Sequence, residues 1–282
     1  MPSRSNPYLL DLPAVVSFSG GRTSAFMLRQ ILDAHGGKVE GLEVCFQNTG
    51  LEHPATLDFV KEVEEQWGVP ITWLEYTLDN EMQPTFKVVD YETAARDGLP
   101  FTKLIEKKQY LPNPVARTCT VQLKIRTLKR YLDTLPAFQD GWVNAVGLRY
   151  DEPRRATRLK GDCAKEESYA PMYHAKHTEE DVLAFWKAQP FDLQLPLTGN
   201  MAGNCVGCFL KGGSKLEILM EEMPEHFEWW VEAEKMASNT AKTGARFRTD
   251  RPSYASLLKM SQQQGRLFDG LDDDTIPCMC TD

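Results

Sequence analysis

Three groups of residues have the types and spacing to do chemistry. The first is Ser17-Phe18-Ser19-Gly20-Gly21-Arg22-Thr23-Ser24. An apolar, β-rich run, Ala14–Ser19, feeds a double-glycine turn, and a helix-like stretch begins near Arg22. The open N–H groups and dipole at a helix start attract phosphate. Ser19, Thr23 and Ser24 add hydroxyl donors and Arg22 adds charge. The Gly-Lys-Ser/Thr ending of a Walker A loop is absent, and adjacent glycines do not make the dinucleotide fingerprint. The competing reading is a plain strand-to-helix turn.

The second group is polar and follows later strands. It comprises Asn48-Thr49-Gly50-Leu51-Glu52-His53-Pro54, and Gly147-Leu148-Arg149-Tyr150-Asp151-Glu152 with Arg154, Arg155 and Arg158 beyond it. The third group is sulfur. Cys205-Val206-Gly207-Cys208 sits among glycines and has the spacing of a metal-binding pair or a redox dithiol. Cys119 falls at the start of an expected helix, where a thiolate is favoured. Cys278 and Cys280 close the chain. An iron–sulfur cluster, structural zinc and unligated redox thiols all remain open on spacing alone. Cys45, in an apolar strand, reads as core, and Cys163 as an ordinary free thiol.

The elements that must position these groups follow from the pattern. Strands are expected at Ala14–Ser19, Leu42–Asn48, Ile71–Tyr76 and Trp142–Gly147. Helices are expected from Arg22, from Pro54, from Thr120 to Leu132, and from Thr178 to Ala188. A further helical region spans Leu216–Met236, with Pro224 interrupting it. The stretch from Thr77 to Ala116 is rich in proline and reads as an irregular insertion with one helix near Phe101–Lys108. The β-α-β-α-β order predicts an α/β fold, an open parallel sheet with helices on both faces. Lys124, Arg126, Lys129 and Arg130 make a basic helix face, either solvated or meeting a phosphate-rich substrate.

Composition sets the outer limits. The 282 residues are 42% hydrophobic and 26% charged, with a net charge of −8, which excludes a disordered chain and a uniformly basic nucleic-acid binder. No run of 18 apolar residues is present, so no transmembrane helix is expected. The first residues precede no apolar signal core, so a cytoplasmic location is expected. Seven cysteines are too few for a disulfide scaffold in so long a chain.

Taken in order, these motifs resemble the PP-loop ATP pyrophosphatase superfamily, adenine nucleotide alpha-hydrolase-like and Rossmann-like in fold, within its phosphoadenosine-phosphosulfate-reductase-like branch. Ser19-Gly20-Gly21-Arg22-Thr23-Ser24 is similar to the family's Ser-Gly-Gly-x-x-Ser loop, although Arg22-Thr23 replaces the commoner Lys-Asp. The resemblance implies a nucleotide-binding domain over residues 1–190, with a cysteine-containing helical region over 191–282 packed on it. It implies ATP at Ser19, Gly20, Gly21, Arg22, Thr23, Ser24, Thr49, Gly50, Glu52, Gly147, Arg149, Arg154 and Arg155, with Mg²⁺ neutralising the phosphates. Asp151 or Glu152 either holds that Mg²⁺ or orients Arg154 and Arg155. Arg117-Thr118-Cys119-Thr120 is similar to the cysteine segment of cluster-bearing relatives, which implies a [4Fe-4S] cluster on Cys119, Cys205, Cys208 and Cys280. Cys278 or Cys280, with Arg149, would be catalytic. The implied activity is ATP-dependent sulfur transfer to a nucleobase in tRNA or DNA, aided by a sulfur or electron donor protein. The alternative is reduction of adenosine phosphosulfate or its 3′-phosphate to sulfite.

Overall fold

A computed structural model describes residues 5–197, 200–240, 245–264 and 276. Six strands form one sheet: β1 Ala14–Phe18, β2 Leu42–Asn48, β3 Thr72–Leu78, β4 Pro84–Val89, β5 Trp142–Val146 and β6 Glu166–Tyr169. Their order is β4-β3-β2-β1-β5-β6, and only β4 runs antiparallel. The helices are α1 Arg22–His35, α2 Pro54–Trp67, α3 Leu99–Lys108, α4 Arg126–Leu132, α5 Pro153–Ala156, α6 Pro171–His174, α7 Glu179–Lys187, α8 Gly213–Glu222, α9 Glu228–Thr240 and α10 Tyr254–Gln264. Among the described residues none is long and apolar enough to cross a membrane.

The chain leaves β1 towards β2 on one side, and β5 later returns on the other. Strand order therefore reverses between β1 and β5, and the loops at their carboxyl ends flank a crevice, the usual ligand position in such sheets. Those loops are the Ser19–Ser24 turn and Gly147–Arg149. Gly147 allows the close approach, since a Cβ there would sit 3.3 Å from Ser24 Cα.

One face of the sheet packs Val16, Phe18 and Phe46 against α1, α2 and α7 through Met27, Val60 and Trp186. On the other face Val15, Cys45 and Leu74 meet Leu128 and Leu132 of α4. Cys45 is fully buried there, as expected of a core residue. A separate aromatic core joins α3 to the cysteine loop and α8–α10 through Phe101, Phe209, Trp230, Phe247 and Tyr254.

Two local expectations need correction, and one strand had no expectation attached to it. The Thr77–Ala116 insertion contains a regular strand, β4, which pairs with β3. Its Thr85, Lys87 and Val88 lie on an edge and are not apolar enough in alternation to announce a strand. β6, with sequence Glu-Glu-Ser-Tyr, is another strand of low intrinsic propensity, held by pairing with β5. The expected helix from Thr120 to Leu132 begins as a π-helix over Thr120–Ile125 before α4. The Arg126 N–H reaches back to Val121 O, and Thr127 Oγ1 donates to Gln122 O at 2.8 Å. Such wide turns change which side chains share a face, and here they turn Thr120, Leu123 and Lys124 towards one cavity.

Candidate active site

The crevice opens into a cavity of about 600 Å³, a size suited to a small organic ligand. Its lining comes from segments far apart in sequence. Arg22 and Thr23 enter from the start of α1, Thr49 from the end of β2, and Arg149 and Arg155 from beyond β5. Cys119, Cys205 and Cys208 share the same lining with Lys124, Lys211 and Lys215.

The double-glycine turn is held tightly and leaves the helix start without an acid. Gly20 has a φ of +78°, and a Cβ there would lie 2.7 Å from Thr56 Cγ2. The first turn of α1 contains no acid, and Gly21 at its N-cap offers no side-chain acceptor. Ser24 Oγ instead donates to Gly21 O at 3.0 Å and lies 2.9 Å from Ser19 Oγ, stiffening the loop from within. Arg22 does not point free into the phosphate position. Its Nε and Nη2 donate to Asp192 at 2.6 and 2.8 Å, and Nη2 also donates to Leu193 O. Asp192 was not foreseen from sequence, where nothing ties it to a residue 170 positions away.

Arg149 occupies the opposite wall. Its Nε donates to Asp151 at 3.0 Å, and Nη1 lies 3.4 Å from Thr23 Oγ1. Burial alone would weaken its hold on the proton, but Glu152, Asp151 and Glu179 outweigh that and keep the guanidinium above its ordinary pKa. Glu152 accepts from the Arg149 N–H and pairs with Arg155. Asp151 and Glu152 thus orient arginines. Arg154 and Arg158 are exposed and lie outside the cavity lining.

Glu52 is buried and turned into its own backbone. Its carboxylate accepts from Thr49 N, Thr49 Oγ1 and Leu51 N. Leu51 O receives the Val206 N–H at 3.0 Å, and Glu52 forms an isolated antiparallel backbone bridge with Cys205. Gly50 serves the same turn, with a φ of +77° against Gly98. Glu52 and Gly50 are therefore braces for Thr49 and the cysteine loop and do not line the cavity. Thr49 Oγ1 lies 3.3 Å from Cys205 Sγ.

The cysteine loop is fixed from several sides. Lys211 Nζ donates to Gly203 O and Val206 O, Arg251 to Lys211 O, and Tyr254 Oη to Gly207 O. Burial, with Glu52 next, pushes the Cys205 thiol well up, while Lys124 acts the other way. An all-thiol wall has the donor chemistry of an iron–sulfur or zinc site. Three thiols do not complete such a set, and among the described residues no three His, Cys, Asp or Glu side chains form a metal-holding group. Cys278 and Cys280 lie outside the described residues. Ile276, two positions before Cys278, lines the cavity and donates its N–H to Leu210 O at 2.8 Å.

A smaller cavity of about 220 Å³ adjoins, sharing Thr120 and Lys124 with the first. Polar side chains of strand interiors line it. Ser17 Oγ donates to Asn144 Oδ1, and Asn144 Nδ2 to Glu166, at 2.8 and 2.7 Å. Gln47 Nε2 is buried there without a partner. Polar residues on one face of otherwise apolar strands were the available sequence signal for this cavity.

Comparison with known proteins identifies the domain. The phosphoadenosine phosphosulfate reductase domain matches residues 13–172. An uncharacterized nin region protein of Escherichia phage lambda is 34% identical over 214 residues, covering 74% of this chain and 69% of that protein. An uncharacterized protein of Methanocaldococcus jannaschii is 26% identical over 223 residues, covering 77% of this chain and 40% of that one.

Proposed function

The chain belongs to the phosphoadenosine phosphosulfate reductase domain family, and from that premise we propose that it is an ATP-dependent enzyme that adenylates an acceptor and transfers sulfur to it. The observation that carries this reading is the convergence of Arg22 and Thr23 at the end of the phosphate loop, Arg149 and three cysteines on one cavity, with Ser19, Gly20 and Gly21 lining a small pocket beside Asn200, Gly203 and Asn204.

In this reading the triphosphate lies across the start of α1, between the open N–H groups and Thr23 on one side and Arg149 and Arg155 on the other. Magnesium arrives with the phosphates, because Asp151 and Glu152 are committed to the arginines. The base takes the smaller cavity, where the unpartnered Gln47 amide offers donors to ring nitrogens. An acceptor oxygen attacks the α-phosphorus, the bond to the β-phosphate oxygen breaks, and pyrophosphate leaves. The outer sulfur of a persulfide on Cys278, the thiol outside the cluster set, then attacks the activated carbon, and AMP departs with the oxygen. An external dithiol reduces the resulting Cys278–S–S–C link, releasing the thiolated product and leaving the dithiol as a disulfide. A nucleobase in tRNA or DNA is the acceptor class, and a donor protein replenishes the sulfur. Cys119, Cys205, Cys208 and Cys280 would hold a [4Fe-4S] cluster, which supplies sulfide and electron-transfer chemistry when bound.

Phosphosulfate reduction is the second reading. Its support is the matching domain and Lys124 and Lys215, which line the cavity with the cysteines and suit a sulfate as well as a phosphate. Cys280 would then attack the sulfate sulfur, expelling the adenine nucleotide, and a second thiol would attack the Cys280 sulfur, releasing sulfite and leaving a disulfide.

The deciding experiment uses full-length protein purified without oxygen. Iron, zinc and acid-labile sulfide are counted, then the sample is offered ATP with bulk tRNA or DNA, or an adenylylsulfate with dithiol. Acceptor-dependent release of AMP and pyrophosphate supports the transferase. Sulfite from the adenylylsulfate, with no pyrophosphate from ATP, overturns it in favour of reduction.

A further inference from the structure

We infer that the outer rim shared by the two cavities is a docking surface for single-stranded nucleic acid. Residues 149–161 run from one cavity to the other: Arg149 and Arg155 line the larger, and Leu159, Lys160 and Gly161 the smaller. Within this segment Tyr150, Arg154, Arg158 and Lys160 are exposed. Among the described residues Arg154, Arg158 and Lys160 make no ion pair. Tyr150 is 46% exposed, and its ring rests 5.5 Å from that of Tyr173.

The facing wall is also cationic. Lys124 lines both cavities and Lys129 the smaller one. Arg126 is exposed on that wall and reaches Asp162 of the smaller cavity at 3.8 Å, which places it on the same rim. Asp162 and Asp133 each answer one cation, Arg126 and Lys129. In a chain of net charge −8 this is a local concentration of positive charge. An acidic protein would use the charges but not the tyrosine. A single strand uses both, phosphates on the arginines and a base on the exposed ring, while a neighbouring nucleotide enters the cavity. This deepens the acceptor assignment and rests on it only for what enters the cavity.

The test is fluorescence anisotropy of the full chain with a labelled single-stranded oligonucleotide of mixed sequence, from 50 to 200 mM KCl. Each phosphate contact contributes a slope of about −0.7 in log affinity against log salt. Arg158→Glu is expected to weaken binding at least about fivefold and make the slope shallower by about 0.7. Tyr150→Ala is expected to weaken binding about fivefold with the slope unchanged, the effect of a lost stacking contact. Lys235→Glu, an equal charge change on exposed α9, should cost less than about twofold, and ATP affinity of Arg158→Glu should hold within about twofold. Absence of binding at 50 mM salt overturns the inference. So does equal weakening by Arg158→Glu and Lys235→Glu, or polyglutamate displacing the strand at equal charge concentration. If ATP is never turned over but strand binding follows this pattern, the adenylation reading falls and the rim stands.

Discussion

Arg22, the first residue of α1, holds Asp192 by two parallel bonds of 2.6 and 2.8 Å. The charge supplied by the phosphate loop is thereby spent on the segment that leads to the cysteine loop. Leu193, Leu195, Asn200 and Asn204 of that segment lie against Ser19, Gly20 and Gly21.

Breaking this tie should uncouple the two halves of the site. Asp192→Ala is expected to lower kcat about tenfold while nucleotide affinity changes less than about threefold. Both side chains are about one-third exposed, so the stability loss should be only about 1 kcal/mol. Arg22→Lys keeps the charge without the fork and should recover part of kcat. Equal losses in affinity and kcat would mean that Arg22 acts as a phosphate ligand.

Gly20 and Gly36 offer a matched comparison. Both have a positive φ, +78° and +74°, but a Cβ at Gly36 meets nothing within 4 Å. Gly36→Ala should therefore cost only the backbone strain, about 1 kcal/mol. Gly20→Ala adds overpacking against Thr56 and should cost about 3 kcal/mol. Urea unfolding of the two variants distinguishes these values.

Trp230 sets the position of the cysteine loop. It is 1% exposed, and a Cβ on Gly207 would sit 2.3 Å from its Nε1. Gly207→Ala should destabilise by about 2 kcal/mol, and Trp230→Leu in the same chain should relieve part of the clash. A double-mutant cycle in urea measures the coupling. Strict additivity would show that the loop is placed by its hydrogen bonds alone.

Protonation of His53 should weaken the fold. Its Nδ1 accepts the Ala55 N–H at the start of α2. Burial and then His226 lower its pKa, while Asp58 and Glu225 oppose them. The ring of His226 lies 5.3 Å away. Because the folded pKa lies below the unfolded value, the unfolded chain binds more protons. Stability is therefore complete above about pH 6.5 and falls as pH drops from there towards the folded pKa. His53→Asn keeps a capping acceptor without titrating and should flatten this slope. An unchanged slope between pH 7.5 and 5 would leave the loss to other groups, His35 among them, whose pKa is also lowered by burial.

The sequence by itself determined the alternation of β1, α1, β2, α2 and β3, because apolar periodicity and the glycine and proline boundaries are local properties. It also determined that a double-glycine turn joins β1 to α1. Pro54 takes the first position of α2, and Thr178 precedes α7 as its N-cap, both as the chain order indicated. Tertiary structure decided the remainder. β4 and β6 exist by pairing with neighbours, and residues at an edge or in a polar network need little intrinsic propensity. The π-helix after Cys119 shifts which residues face the cavity, a change no 3.6-residue pattern encodes. Glu52, read as a residue beside the nucleotide, became a brace when Cys205 was brought across from 153 residues away. Asp192, Lys215 and the Gln47 cavity carry no motif. Their roles follow from distances between chain segments, which only the packed sheet and its two cores fix.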